Sequence, residues 1–216
     1  MWLRSPVLAL LDYGAGNIRS VEKALRAVGA EVERVPSPAG LAQAHGIVLP
    51  GVGAFDDCLN AIQRQELGAA VKTWIAAGKP FLGICVGYQA LFERSEEFNS
   101  CAPGLEVFRG PVVRFQTTAQ EPHLKIPQIG WNEVQITQPD CPLFAGIPDG
   151  SHFYFVHSFF PKPADESIIA GRAEYGGSFA AAVRKDNVWA TQFHPEKSQQ
   201  VGLQLLKNFV VFAERN

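Results

Sequence analysis

Lys79-Pro80-Phe81-Leu82-Gly83-Ile84-Cys85-Val86-Gly87-Tyr88-Gln89 joins a short apolar strand, Phe81 to Ile84, to a helix that the pattern carries from Val86 to Glu93. Cys85 stands at the joint. Glycines two residues before and two after it have the spacing of a nucleophile elbow in the form GxCxG, where a strand turns sharply into a helix and lifts one side chain out of the sheet. Unpaired N–H groups at a helix N-terminus favour negative charge, so a thiolate is stabilised at such a place. A lone cysteine is more often a small buried hydrophobe, but core packing alone requires neither flanking glycine. Gln89 falls one helical turn beyond the sulfur and is expected to line the same pocket.

Upstream, Val7 to Leu11 reads as a near-continuous apolar strand, and Ile18, Val21, Leu25 and Val28 follow at helical spacing until Gly29 stops them. Strands over Val32–Val35 and Gly46–Leu49 come next, then a helix from about Asp56 and another carrying Leu67, Ala70, Val71, Trp74 and Ile75. This alternation predicts a parallel sheet with helices on both faces. Gly14 and Gly16 raise the possibility of a dinucleotide fingerprint, but Arg19 occupies the third glycine's place, and a tight turn is the simpler reading. Loops leaving the carboxyl ends of neighbouring parallel strands meet in one crevice, so Pro50-Gly51-Val52-Gly53 should face Cys85. The glycines of that loop could offer backbone N–H groups to an oxyanion; no lysine follows in phosphate-binding position, and a plain turn is the alternative on local sequence.

Downstream of Ser95, strand-like runs over Leu105–Phe108, Val112–Phe115, Trp131–Ile136, Phe153–His157, Ser167–Arg172, Phe179–Val183 and Val188–Phe193 are separated by Gly, Pro and Asp. They predict an antiparallel extension of the same sheet, with Asp186-Asn187 turning a hairpin. No linker interrupts the chain, so residues 1–216 are expected to form one α/β domain around a mixed central sheet. The last strand runs into Thr191-Gln192-Phe193-His194-Pro195-Glu196-Lys197-Ser198. Pro195 keeps His194 extended, and in extended backbone positions i and i+2 project to one side, so His194 and Glu196 can point together. A carboxylate beside an imidazole fixes its tautomer and stabilises its protonated form. Alone, such a pair is more often solvated; with an elbow cysteine elsewhere it fits a base and its orienter. His157 lacks a neighbouring acid, and His45, His123 and His152 are expected to be structural or exposed.

With 47% hydrophobic and 19% charged residues, the 216-residue chain can bury a full core. A net charge of -2 with mixed signs leaves no basic stripe for nucleic acid and no polybasic segment for a membrane surface. The apolar runs are strand-sized, and Met1 to Pro6 shows no leader pattern, which points to a cytoplasmic protein. Cys58, Cys85, Cys101 and Cys141 form neither a disulfide framework nor a CxxC zinc pattern. No metal or cofactor is expected.

Six segments, DYGAGN from Asp12, PGVGAF from Pro50, GICVGYQ from Gly83, IGWNEV from Ile129, YFVHSFF from Tyr154 and FHPEKS from Phe193, resemble the class I (triad) glutamine amidotransferases over nearly the whole length. DYGAGN, IGWN and YFVHS single out the glutaminase subunits of imidazole glycerol phosphate synthases, from histidine biosynthesis. The resemblance implies a three-layer α/β fold and hydrolysis of L-glutamine, with Cys85 as nucleophile, His194 as base and acid, and Glu196 orienting His194. It implies oxyanion donors around Gly51 or Val52 and Val86, and a glutamine-binding set of Gln89, Glu97, His157 and Ser158. Ammonia would pass to a (β/α)8-barrel cyclase subunit in a heterodimer, docked near Asn17, Trp131 and Lys197. Val86 and Tyr88 stand where leucine and methionine are more usual, and Phe159 where tyrosine is common, which bears on pocket shape. Apart from any family, a chain this short has no room for a synthetase domain, and ammonia released to water would be protonated, so a partner is expected. The alternatives are the glutaminase subunit of another amidotransferase, a partner-free cysteine hydrolase on the same fold, and an inactive interaction subunit.

Overall fold

A computed structural model describes residues 6–14, 16–117 and 122–215; Met1–Ser5 of the leader reading and Ala15 of the first glycine loop lie outside the described residues. A nine-stranded sheet organises the chain. Its parallel half is β1 (Val7–Leu11), β2 (Glu31–Val35), β3 (Gly46–Leu49) and β4 (Phe81–Ile84), in the order β2-β1-β3-β4. The first helices are α1 (Ile18–Ala27), α2 (Phe55–Arg64), α3 (Leu67–Ala76) and the single turn α4 (Val86–Gln89). β1, β3 and β4 are apolar because both faces of the sheet are covered. α1 turns Ile18, Val21, Ala24 and Leu25 inward, one stripe at helical spacing.

The second half of the chain supplies β5 (Arg94–Ser95), β6 (Pro111–Arg114), β7 (Gln128–Ile136), β8 (Ser151–His157), β9 (Phe159–Pro161), β10 (Ile169–Glu174), β11 (Ser178–Lys185), β12 (Val188–Thr191) and the closing helix α5 (Gln199–Arg215). The hairpin at Asp186-Asn187 forms, with Asp186 in left-handed conformation at φ 51°. Its second strand, β12, lies parallel to β4, with Thr191 opposite Ile84, while β11, β10, β7 and β8 continue antiparallel. α5 packs on α1 and buries Leu205, Leu206, Phe209, Val210 and Ala213.

Four expectations are corrected. The helix after Cys85 ends at Gln89 instead of Glu93, because the carbonyls of residues 90–93 accept from Gly104, Leu105, Glu106, Val107 and Phe108 rather than from a further helical turn. The same bonds occupy Leu105–Phe108, so that segment is not a strand. Pro111–Arg114 leaves the main sheet and pairs with β5 and β9 in a separate three-stranded sheet. The strand expected at Ser167 begins at Ile169, after a 3-10 turn over Glu166–Ile168 that Asp165 caps through the Ser167 N–H.

β1, β3, β4 and β12 are parallel neighbours, so their exits at Asp12, Pro50, Cys85 and Gln192 open at one end of the sheet. That end carries the site.

Candidate active site

Cys85 takes φ 55° and ψ -111°, a strained conformation for any residue with a Cβ, at a cost of about 1–3 kcal/mol. Its N–H donates to Thr191 O at 2.8 Å, and its carbonyl accepts from Tyr88 and Gln89 in the first turn of α4. The flanking glycines do not supply the bend, since neither adopts positive φ among the described residues. Their function is closeness. A Cβ on Gly87 would stand 2.0 Å from Leu49 O, one on Gly83 2.8 Å from Gly87 O, and one on Gly51 2.4 Å from Gly87 N. Three backbones meet at the elbow where no side chain fits.

Val52, Gly53, Cys85, Val86, Gln89, Glu97, His157, Ser158, His194 and Lys197 line one cleft of about 390 Å³. A roomier cleft of about 470 Å³, lined by Arg114, Phe160, Lys162, Arg172 and Tyr175 among others, contains neither the sulfur nor the imidazole, so size does not mark the site. Val86 opens α4, which leaves its N–H among the unpaired donors of a first helical turn. Among the described residues the Val52 N–H donates to no atom, and Val52 is 38% exposed. Gly51 lies behind it, packed against Val86 and Gly87. The buried Tyr13 hydroxyl donates to Pro50 O at 2.9 Å and pins the start of this loop to the β1 exit.

His194 Nδ1 is 2.8 Å from Glu196 Oε1, and both side chains are buried. His194 N–H donates to Tyr154 O at 2.9 Å, and Ser198 Oγ donates to His194 O, so the loop is held from both sides. His194 Nε2 is buried without a hydrogen-bond partner of ordinary geometry among the described residues. Burial alone would lower the imidazole pKa, but the Cys85 sulfur, through its charge and a partial hydrogen bond, together with the Glu196 carboxylate raises it to about 10. The arrangement therefore favours an imidazolium between the sulfur and the carboxylate. Asn17, expected at a docking face, is turned inward: its Nδ2 donates to Glu196 Oε1 at 3.1 Å. It sits at the N-cap of α1 yet makes no side-chain cap, so the helix forgoes a contact worth about 1 kcal/mol.

The expected glutamine-binding residues reach the cleft with their polar atoms partly committed. Gln89 Nε2 donates to Phe159 O at 2.9 Å and to Gln192 Oε1 at 3.2 Å. Glu97 Oε2 accepts from the Phe55 N–H at 2.7 Å, capping α2. His157 Nδ1 bonds Phe159 O at 2.9 Å, its Nε2 has no partner among the described residues, and burial pushes its pKa down to about 4. Ser158 O accepts from the Phe115 N–H. Tyr88 is fully buried beneath the elbow, its hydroxyl 3.4 Å from Ala180 O, so it affects the cleft from behind. Phe159 turns its ring against Phe98.

Trp131 is 46% exposed and meets the Tyr154 ring edge-on, and Lys197 Nζ lies 5.7 Å from the centre of that ring. Sequence reasoning missed Tyr13 and Gln192. Gln192 had a signal, since it precedes His194 by two residues in an extended run; for Tyr13 no local pattern stands out. No group of three or more potential metal ligands exists among the described residues, and no helix among them is long and apolar enough to cross a membrane.

The family described as glutamine amidotransferase class-I matches residues 9–213. The chain is 50% identical to the imidazole glycerol phosphate synthase subunit HisH of Dechloromonas aromatica, covering 97% of this chain and 98% of that protein. It is 48% identical to the protein of the same name from Syntrophotalea carbinolica, with 94% and 98% covered. Among solved structures, PurLQS from Thermotoga maritima aligns with a TM-score of 0.76 at 20% identity over 96% of this chain and 99% of the other. A crystal structure of a glutamine amidotransferase aligns with 0.74 at 19%, with 95% and 98% covered. At those identities the structural likeness speaks for the fold.

Proposed function

The chain belongs to the class I glutamine amidotransferases, and we propose that it is the subunit of an imidazole glycerol phosphate synthase that hydrolyses L-glutamine to glutamate and supplies ammonia for histidine biosynthesis. The observation that carries this reading is the identity of about half over nearly the full length to relatives bearing that name. The cleft accounts for the chemistry. The Cys85 thiolate attacks the carboxamide carbon of glutamine, and the oxyanion that forms is met by the N–H groups of Val86 and of Val52 or Gly51. Imidazolium His194 gives its proton to the leaving nitrogen as the C–N bond breaks, which leaves a thioester on Cys85 and frees ammonia. Neutral His194 then takes a proton from water as its oxygen attacks the thioester, and glutamate departs. Glu196 holds the ring through Nδ1 and balances its charge. Gln89, Glu97, His157 and Ser158 hold the amino-acid end of the substrate.

The partner in this reading is a (β/α)8 cyclase subunit joined in a heterodimer. Its docking face includes Trp131 and Lys197: Lys197 lines the cleft, and both side chains lie near the Tyr154 ring. Asn17 serves from inside that face. The setting is the cytoplasm, in keeping with four free cysteines.

The test separates glutamine hydrolysis from the partner's chemistry. Cys85→Ala in complex with the cyclase should lose glutamine-dependent synthesis and keep synthesis from concentrated ammonium salt at alkaline pH. Loss of both activities in an intact complex would overturn the reading. Hydrolysis by the lone chain of amides or esters other than glutamine would favour a partner-free hydrolase.

A further inference from the structure

Gln192 is fully buried, and its N–H donates to Ala181 O at 2.8 Å, so its backbone is fixed at the end of β12. A buried primary amide is costly unless both of its ends are bonded. One end meets Gln89, whose Nε2 donates to Gln192 Oε1 at 3.2 Å; the other meets the nucleophile, with Gln192 Nε2 3.7 Å from Cys85 Sγ. The orientation of both amides is dictated from outside. Phe159 O can only accept, so Gln89 must present its nitrogen there; that same nitrogen makes Gln192 Oε1 the acceptor and turns Gln192 Nε2 toward the sulfur. With the Thr191 O contact to Cys85 N–H and His194 two residues on, a single run of β12 and its exit meets the nucleophile at backbone, sulfur and base.

We infer that Gln192 is a positioning residue for Cys85: its N–H holds the sulfur in place and favours the thiolate, and its carbonyl couples the sulfur to Gln89. The second half rests on the glutaminase reading, in which Gln89 touches substrate. Glutamine engaging Gln89 then acts on the Gln89–Gln192–Cys85 chain, so occupancy of the cleft is felt at the sulfur.

The experiment measures alkylation of Cys85 by iodoacetamide against pH in the full-length chain, with peptide mapping. It compares wild type with Gln192→Met, which keeps volume without a donor, and Gln192→Glu, which keeps shape but presents an acceptor. The other ionisable groups around the sulfur, Cys58 and Tyr13 behind it, His194 with Glu196 beside it, and Glu97, His157 and Lys197 in the cleft, are the same in all three proteins. The alkylation midpoint should rise by about half a unit or more in Gln192→Met and further in Gln192→Glu. Glutamine turnover in the cyclase complex should fall roughly 10-fold, with KM changed less than about threefold. A midpoint equal to wild type in a folded variant overturns the inference, and unfolding of both variants does so too, by assigning Gln192 to the core. If wild type fails to hydrolyse glutamine, the functional reading falls while the alkylation midpoint still decides whether Gln192 acts on the sulfur.

Discussion

Asn17 Nδ2 and His194 Nδ1 converge on one oxygen, Glu196 Oε1, at 3.1 and 2.8 Å. The first residue leaves β1 and the other two leave β12, so the orientation of the imidazole depends on a loop 179 residues away in sequence. Replacing Asn17 with alanine should let Glu196 rotate. Turnover of glutamine should drop about 10-fold with little change in KM, and Asn17→Asp should drop it further by setting a second carboxylate against Glu196. Because Asn17 makes no side-chain cap, the melting temperature of Asn17→Ala should stay close to wild type. Steady-state kinetics with thermal unfolding checks both halves, and unchanged turnover would show that Glu196 is held without it.

A glutamine-mimicking electrophile such as diazo-oxo-norleucine should label Cys85 alone. Burial pushes Cys58 up to about 12 and also raises Cys141, so neither offers a thiolate near neutral pH. Cys101 is exposed but is not among the residues lining the cleft that holds His194. Peptide mapping after one equivalent of reagent is the measurement, and an adduct on any other cysteine contradicts the assignment.

Gly87→Ala should be far more damaging than Gly53→Ala. The new methyl at Gly87 would meet Leu49 O at 2.0 Å, where the first turn of α4 lies against the backbone end of β3 and no flexible side chain can give way. At Gly53 nothing lies within 4 Å, and the only penalty is its φ of +87°. The expected losses are about 3 kcal/mol or more against about 1 kcal/mol, read from denaturant unfolding. Equal losses would mean that backbone closeness at the elbow is not what the glycines provide.

Stability should peak between two histidine-driven limbs. The pKa of His157, about 4, lies below its ordinary value of 6.5, so the unfolded chain binds the proton first. The stability this gives is present above pH 6.5 and is lost as pH falls toward 4, up to about 3 kcal/mol for a group this buried. The pKa of His194, about 10, is raised, so its contribution is present below 6.5 and is lost as pH rises through 10. His157→Phe should flatten the acid limb, and Cys85→Ala the alkaline one by removing the sulfur that raises the His194 imidazole. Denaturant midpoints across pH 4 to 10 test this, and acid limbs that superimpose for wild type and His157→Phe would refute the first assignment.

The βα alternation through Ile84, the elbow position of Cys85 and the projection of His194 with Glu196 were legible from sequence because each rests on spacing within a few residues. Apolar period, turn residues and extended i, i+2 geometry are local properties. The end of α4 was not legible: Ala90, Leu91 and Phe92 suit a helix, and only the arrival of the 104–108 backbone at their carbonyls stops it. Nor was the small sheet, since Val112 resembles any strand residue until Pro161, 49 positions later, lies opposite it.

Sequence by itself determined that this chain carries a cysteine at an elbow, a His-x-Glu after the last strand and an α/β core to hold them. Tertiary structure decided which groups attend the sulfur and the imidazole: Gln192 on the thiol, Asn17 on the carboxylate, Tyr13 on the loop facing the elbow. It also decided that the elbow glycines serve closeness rather than bending. The physical reason is common to all four. A hydrogen bond or a steric limit between residues far apart in sequence exists only once the sheet order β1-β3-β4-β12 has brought their strand ends together, and no local pattern encodes that order.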